Sequence, residues 1–303
     1  FDKDPGGLDE AESLILAALI RSPNAPPGRV GERAALLDAS MGRSFAGDEV
    51  RQLAHDRLSA PYAVRQRVTM APLVAQQMLR HGRTSAVTTL DARFQRFAVE
   101  ALQQAVGSLS DQNARHGAVL VVASRTGDVL AYVGNIGRSS SAPHVDGIRA
   151  RRQAGSTLKP FLYGLAFEKR IMTAASLIED APLDVPTERG IYRPENYDKD
   201  YRGTITARTA LASSMNIPAV KTLGVVGTDA FVLTLHAFGF TGLVEPEHYG
   251  PSLALGSADV TLWELVNAYR ALANGGVWTP LRMTPDEKPV HPRRRLYSEQ
   301  TAF

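Results

Sequence analysis

The tetrapeptide STLK at residues 156–159 has the residue types and the spacing of a nucleophile and its base. The apolar run after it predicts a buried helix over residues 156–169, with Ser156 at the N-terminus, where backbone N–H groups and the helix dipole favour negative charge. Lys159 follows one turn later on the same face, and a desolvated lysine loses pKa and can take the proton of a hydroxyl. Gly155 leaves space for a close approach to the serine backbone.

A second polar motif, Ser214-Met215-Asn216, follows later in the chain. Its hydroxyl can relay a proton, and its amide can hold the amide of a substrate. Each motif also has a purely structural interpretation: Ser156 as a helix cap beside a solvated lysine, and the second motif as a helix end that Pro218 stops. From the residues alone these alternatives stay open.

Hydrophobic periodicity predicts the elements that must position these motifs. Residues 117–134 contain two β-branched runs around a glycine-containing turn, which predicts a β-hairpin. Leu8 or Asp9 caps the first helix, and Glu10 and Glu12 lie on its surface. Polar loops are expected at 135–147 and 284–295, and helices are expected at 8–20, 31–42, 47–58, twice within 69–106, and at 156–169, 204–215, 228–238 and 259–274.

Composition excludes several classes of protein. The chain of 303 residues is 44% hydrophobic and 21% charged, which is enough apolar sequence for a sizeable core. Its formal net charge is +3 and both signs are mixed along the chain, so no nucleic-acid partner is expected. The chain has no cysteine and no nucleotide- or metal-binding motif, and its histidines are scattered, so we expect no metal and no cofactor.

Several stretches of the chain resemble the bifunctional class A penicillin-binding proteins. The stretch around STLK resembles the family's nucleophile box, and the stretch that ends after Asn216 resembles the segment that leads into its second box. The hairpin resembles the opening of the transpeptidase domain, and the first helix resembles the end of the glycosyltransferase domain. The stretches that carry the resemblance are residues 8–27, 117–134, 151–168, 192–220 and 253–276.

The resemblance implies an α+β, multidomain chain. Residues 116–303 would form a penicillin-binding transpeptidase fold, in which an antiparallel sheet is flanked by helices. An interdomain linker would occupy residues 46–115, and the C-terminal remnant of a glycosyltransferase domain would occupy residues 1–45.

The third motif of the family, Lys-Thr-Gly, is absent, because the one Lys-Thr pair is followed by Leu223. We therefore expect an incomplete transpeptidase domain that holds one hairpin of a larger sheet. The natural polypeptide would continue beyond Phe303, and its glycosyltransferase site and membrane anchor would precede Phe1.

For the site, the resemblance implies a serine acyltransferase. Ser156 would attack the carbonyl of the penultimate D-Ala of a peptidoglycan stem peptide, and Lys159 would act as the general base. Ser214 would pass a proton to the departing D-Ala, while Asn216 and Gly155 would bind the donor peptide. An amine of a neighbouring stem peptide would then resolve the acyl-enzyme and form a cross-link.

The implied partners are peptidoglycan stem peptides, β-lactam antibiotics that acylate Ser156, and other cell-wall synthesis proteins. The implied location is the periplasmic side of the bacterial inner membrane. Two alternatives remain: a D,D-carboxypeptidase or β-lactamase that uses the same serine and lysine, and a non-catalytic scaffold. A Glu-x-x-Leu-Asn segment, which would activate a deacylating water, does not follow Ser156.

Overall fold

The computed structural model describes residues 8–42, 47–59, 70–79, 84–137, 140–188, 190–286 and 293–303. These residues belong to two compact units, Phe1–Val68 and Thr69–Phe303. These two units were defined by packing, and their boundary at residue 68 is not a boundary that the sequence predicted. The assignment of residues 1–45 to a glycosyltransferase remnant and of residues 46–115 to a linker stays a prediction.

The first unit is a group of three helices, α1 (Glu10–Ile20), α2 (Pro27–Ser40) and α3 (Gly47–Leu58). Asp9 caps α1 as predicted: its carboxylate accepts the Glu12 N–H at 2.8 Å, and the Glu12 carboxylate accepts the Asp9 N–H at 3.1 Å. The prediction that Glu12 lies on the surface is wrong, because this capping role buries it to 2% exposure. The three helices share one apolar core, so α3 packs with the helices before it.

The second unit begins with α4 (Pro72–Met78), α5 (Ala92–Gly107) and the strands β1 (Val119–Val122) and β2 (Val129–Val133). β1 and β2 form the predicted antiparallel hairpin. Their side chains are divided between two apolar clusters, one of which is shared with α5, so both faces of the hairpin contact apolar residues.

The rest of the second unit alternates short strands with helices. In chain order these elements are β3 (Arg152–Gln153), α6 (Lys159–Glu168), β4 (Leu177–Asp180), β5 (Val185–Thr187), β6 (Gly190–Tyr192), β7 (Gly203–Thr206), α7 (Ala207–Ala212), α8 (Asn216–Val226), α9 (Thr228–Ala237), α10 (Pro246–Tyr249), β8 (Asp259–Val260), α11 (Leu262–Ala273), β9 (Val277–Trp278), β10 (Arg294–Arg295) and α12 (Glu299–Ala302). The described strands pair two by two and antiparallel, as β1–β2, β3–β8, β4–β7, β5–β6 and β9–β10.

The main core of this unit surrounds α6, as the apolar sequence predicted. The Phe161 ring meets the rings of Phe238 and Tyr269 edge to face, with centroids 5.0 and 5.2 Å apart. The buried Tyr297 hydroxyl donates to the Phe161 carbonyl at 2.6 Å. This packing fixes the helix whose N-terminus carries the candidate nucleophile.

Three sequence-based expectations about these elements are wrong. The helix predicted over 204–215 begins instead as β7 and becomes helical only at Ala207. The helix α8 was not predicted, because Pro218 was interpreted as a stop, whereas it lies in the first turn, where a missing N–H costs no hydrogen bond. The polar segment 284–295 includes the strand β10, while its residues 287–292 lie outside the described ranges.

Within the described ranges, no single helix is long and apolar enough to cross a bilayer. The helices α8 and α9 together have the required length and composition, but they are bent by 93° relative to each other.

Candidate active site

Ser156 lies in a 3₁₀ turn, Gly155–Leu158, that leads directly into α6. The predicted position at the N-terminus of a buried helix is therefore confirmed. The structural alternative, a serine cap, is not observed, because no side chain caps this turn or α6. The positive end of the α6 dipole is thus directed towards Ser156.

Gly155 has φ +58°, a left-handed conformation that L side chains rarely adopt. A Cβ on Gly155 would meet no atom within 4 Å, so its backbone conformation, and not steric clearance as predicted, requires glycine. The Gly155 N–H donates to the carbonyl of Gly256 at 2.9 Å, which ties the turn to the segment before β8.

Two hydroxyl groups hold the same turn. Thr157 Oγ1 donates to the Ala154 carbonyl at 2.6 Å, within the turn. The Tyr269 hydroxyl, on α11, donates to the Thr157 carbonyl at 2.8 Å. The nucleophile turn is therefore fixed by bonds from its own residues and from α11.

Substituting Gly256 by alanine is expected to lower the free energy of unfolding by about 3 kcal/mol, the sum of left-handed strain and a steric clash. Gly256 has φ +77°, and a Cβ there would lie 1.9 Å from the Gly155 carbonyl oxygen. Denaturant titration measures the change. The control is Gly42→Ala, where φ is +68° but no atom lies within 4 Å, so only strain remains. Equal losses in the two variants would contradict the clash.

Lys159 is the first residue of α6 and is 1% exposed. Its Nζ donates to the Ser214 carbonyl at 2.6 Å, to Asn216 Oδ1 at 2.8 Å and to Ser214 Oγ at 3.3 Å. Burial lowers the pKa of Lys159 from 10.5 to about 8, because the charged form has lost much of its solvation. The predicted desolvation of this lysine is thus confirmed, and its amine joins the two sequence motifs at one point.

The backbone of Ser214 presents its carbonyl to Lys159 by adopting φ +52°. Ser214 follows the C-terminus of α7, where its N–H donates to Leu211 O at 3.0 Å and the Met215 N–H donates to Ala210 O at 2.9 Å. This pattern is a Schellman motif, whose left-handed position glycine usually occupies. A serine in this left-handed conformation lowers the stability of the fold by about 1–2 kcal/mol relative to glycine. Unlike glycine, it places a hydroxyl beside the Lys159 amine.

Both ends of the Asn216 side chain are occupied. Oδ1 accepts the bond from Lys159, and Nδ2 donates to the Glu195 carbonyl at 2.8 Å. The predicted role of Asn216 in holding a substrate amide stays a prediction, because in this geometry the side chain binds the lysine and the chain itself.

The Ser156 hydroxyl is exposed and, within the part of the chain that the structure describes, has no hydrogen-bond partner. The direct Ser156–Lys159 hydrogen bond that the base role suggests is therefore not formed here. Catalytic hydrogen bonds are often long in proteins without substrate and tighten when it binds.

Among the described residues, no three His, Asp or Glu side chains lie together in a way that could hold a metal ion. Three further residues were not predicted from the sequence, although they contact the nucleophile turn or the second motif from distant parts of the chain: Gly256, Tyr269 and Asn196. The glycine-containing stretch 253–276 was noted only for its resemblance, and no local pattern marks these residues as contacts.

Comparison with protein families defines the class of this protein. Residues 117–303 match the family model described as "Penicillin binding protein transpeptidase domain". The chain therefore belongs to the penicillin-binding protein transpeptidase family, and the predicted resemblance to the class A penicillin-binding proteins is confirmed.

Individual relatives narrow the resemblance. The chain is 34% identical over 295 residues to penicillin-binding protein 1C of Escherichia coli, covering 94% of this chain and 37% of that protein. It is 33% identical over 303 residues to penicillin-binding protein 2D of Bacillus subtilis, covering 91% of this chain and 42% of that protein. The chain thus spans less than half the length of these curated relatives.

The fold is also similar to solved structures. The crystal structure of penicillin-binding protein 1A from Haemophilus influenzae aligns with a TM-score of 0.64 at 20% sequence identity and covers 93% of this chain and 59% of that one. PBPA from Mycobacterium tuberculosis aligns with a TM-score of 0.60 at 22% identity, over 76% of this chain and 64% of that one. At these identities the likeness concerns the fold alone.

Proposed function

We propose that this chain carries the serine acylation machinery of a peptidoglycan D,D-transpeptidase. The observation that carries the proposal is the Lys159 amine, which is buried one turn after Ser156 and hydrogen-bonded to both Ser214 and Asn216. Family membership supplies the substrate class, because penicillins acylate the serine that attacks a D-Ala-D-Ala peptide in this family.

In the first half of the reaction, Ser156 Oγ attacks the carbonyl carbon of the penultimate D-Ala, and its proton passes to the neutral amine of Lys159. The helix N-terminus and the Ser156 N–H stabilise the negative charge on the tetrahedral intermediate. The C–N bond then breaks, and the departing D-Ala amine receives the proton from Lys159 through the Ser214 hydroxyl. An ester on Ser156 remains.

In the second half, an amine of a neighbouring stem peptide attacks the ester carbonyl and gives its proton to Lys159. The ester bond breaks and Ser156 recovers the proton. The net reaction exchanges one amide for another and releases D-Ala. Asn216 and Gly155 border the donor peptide in this proposal.

The test is to treat the natural polypeptide with a fluorescent penicillin and to locate the adduct by peptide mass mapping. The proposal predicts one adduct, on the peptide that contains Ser156. An adduct on another residue, or no adduct on a correctly folded protein, would contradict it and would favour a non-catalytic scaffold.

The lifetime of the acyl-enzyme separates the transpeptidase from a hydrolase with the same serine and lysine. A transpeptidase excludes or disfavours water as acceptor, so the penicilloyl ester should persist. Rapid turnover of penicillin would favour a β-lactamase, and release of D-Ala without cross-linking would favour a D,D-carboxypeptidase.

The same proposal extends to the whole natural polypeptide. It would be a bifunctional cell-wall synthase on the periplasmic side of the inner membrane, with a membrane anchor and with a glycosyltransferase domain whose C-terminal part is residues 1–45. Polymerisation of a lipid-linked disaccharide precursor by the natural polypeptide tests the glycosyltransferase part.

Replacing Ser214 by glycine is expected to raise the free energy of unfolding by about 1 kcal/mol and to slow acylation of Ser156 at the same time. Stability rises because glycine adopts the left-handed conformation without strain, and acylation slows because the proton relay is lost. Ser214→Ala is the matched variant: it also loses the hydroxyl but keeps the strain. If Ser214→Gly acylated at the wild-type rate, Ser214 would have no relay role.

A further inference from the structure

A buried polar chain lies behind Asn216. Asp180, at the end of β4, is 0% exposed. Its Oδ1 accepts Asn196 Nδ2 at 2.8 Å, and its Oδ2 accepts the Arg202 N–H at 2.8 Å. A buried carboxylate is costly unless donors satisfy it, and here each oxygen receives one donor.

Asn196 is 5% exposed and all of its amide is used. Nδ2 donates to Asp180 and also to the Asp200 carbonyl at 2.9 Å. Oδ1 accepts the backbone N–H of Asn216 at 3.0 Å and that of Ile217 at 3.4 Å. Asp180 therefore fixes which way the Asn196 amide points, since a reversed amide would place two oxygens against each other.

The first turn of α8 depends on this contact. The N-terminal N–H groups of a helix need partners, and Met215, which precedes α8, has no side chain that can cap it. Asn196 takes the capping role from a different part of the chain. The carbonyl of the adjacent residue, Glu195, accepts a hydrogen bond from the Asn216 side-chain amide. Asn196 therefore holds the backbone of Asn216, and Glu195 holds its side chain.

We infer that Asn196, oriented by the buried carboxylate of Asp180, is a positioning residue that holds Asn216 and the first turn of α8 against the Lys159 amine. Three hydrogen-bonded steps connect the carboxylate to the amine: Asp180 to Asn196, Asn196 to Asn216, and Asn216 to Lys159. The consequence for acylation rests on the proposed function, whereas the consequence for the lysine does not.

The primary test uses two variants of the natural polypeptide. Asn196→Ala removes the contact, and Asp180→Asn leaves an NH₂ group facing one of the two donors that the carboxylate satisfied. Each is expected to lower the acylation rate constant for a fluorescent penicillin by about 10²-fold, the typical cost of misplacing a reacting group by about 1 Å. The Kd of the initial penicillin complex should change little.

The matched control is Asp198→Asn, the same change as Asp180→Asn but on the loop that carries Asn196. Asp198 is exposed, and its carboxylate pairs weakly with Arg202 at 3.5 Å. This variant is expected to acylate at the wild-type rate. A rescue variant combines Asp180→Asn with Asn196→Asp. In this variant the amide at position 180 can donate a hydrogen bond to the carboxylate at position 196, so the pair again has one donor and one acceptor. It should acylate faster than Asn196→Asp alone, in which two buried carboxylates face each other.

A second readout separates positioning from folding. NMR titration of the Lys159 side chain, assigned with Lys159→Met, is expected to show a higher pKa in Asn196→Ala than in the wild type, because a loosened α8 admits water to the amine. A merely structural role would lower the free energy of unfolding but leave the pKa of Lys159 and the acylation rate of the folded molecules unchanged. If folded Asn196→Ala kept the wild-type pKa of Lys159, or the wild-type acylation rate, the inference would be overturned.

The remaining outcomes are also decisive. If Asn196→Ala does not fold, Asp180→Asn and the rescue pair decide by the same two readouts. If the wild type forms no adduct at Ser156, the proposed function fails, and the pKa of Lys159 in the variants alone decides whether Asn196 is a positioning residue. A pKa that stays at its wild-type value or falls then contradicts the inference.

Discussion

Substituting Ser156 by alanine is expected to eliminate the covalent penicillin adduct completely. No other described group has the same position, at the N-terminus of α6 and one turn before the Lys159 amine. The buried lysine cannot replace the serine as nucleophile, because its Nζ is directed towards Ser214 and Asn216. Gel fluorescence after incubation with labelled penicillin measures the loss.

The control for this variant is Ser213→Ala, which removes an exposed hydroxyl next to the second motif. It should label like the wild type. The Ser156 side chain makes no hydrogen bond to the described residues, so Ser156→Ala should unfold at the same denaturant concentration as the wild type. Labelling of folded Ser156→Ala at the wild-type level would show that another residue is the nucleophile.

Substitution of Lys159 by methionine or arginine is expected to lower the acylation rate of Ser156 by about 10²–10⁴-fold, the usual contribution of a general base. Methionine has a similar length but no amine. Arginine keeps the positive charge but does not deprotonate at any pH near neutrality. Stopped-flow measurement of acylation tests the base role, which predicts that arginine fails as well as methionine, whereas a role as positive charge alone predicts that arginine can replace lysine.

The pH dependence of wild-type acylation gives the same prediction a second readout. Because the pKa of Lys159 is lowered to about 8, its neutral form increases as the pH rises and is about a tenth of the total at pH 7. The rate should therefore rise with pH and level off above about pH 8. The control is Lys221→Met, which removes a lysine of α8 that pairs with Glu179. This variant should keep the acylation rate of the wild type and its dependence on pH. A wild-type rate in Lys159→Arg would rule out the base role.

Local sequence contained most of what defines the nucleophile helix. Its apolar residues, the glycine before Ser156 and the lysine one turn later are neighbours in the chain, so their spacing on a helix was predictable. The hairpin at 117–134 was predictable for a similar reason, because β-branched runs around a glycine turn pair with their own neighbours.

The remaining parts of the site depend on contacts between distant residues. Whether Lys159 is buried depends on where Ser214 and Asn216 lie, and those positions depend on Asn196 and Asp180. No periodicity in the sequence reports such contacts. Pro218 also misled the prediction, because a proline stops a helix in its interior but is tolerated in its first turn, and only the fold shows which applies.

The short strands were missed because pairing, and not local propensity, creates them. The strands β3 and β8 have two residues each and exist because the chain before Ser156 lies against the chain before α11. That contact in turn requires Gly256, and no local pattern in the sequence marks this glycine as a neighbour of Gly155.

The central claim is that Lys159 is a buried amine that can lose its proton near neutral pH. Its most direct test is the pH titration of the Lys159 side chain by NMR in the wild-type protein. We expect a midpoint near pH 8, well below the 10.5 of an exposed lysine. A midpoint at or above 10 would contradict it, because the amine would then stay charged and could not take the proton of Ser156.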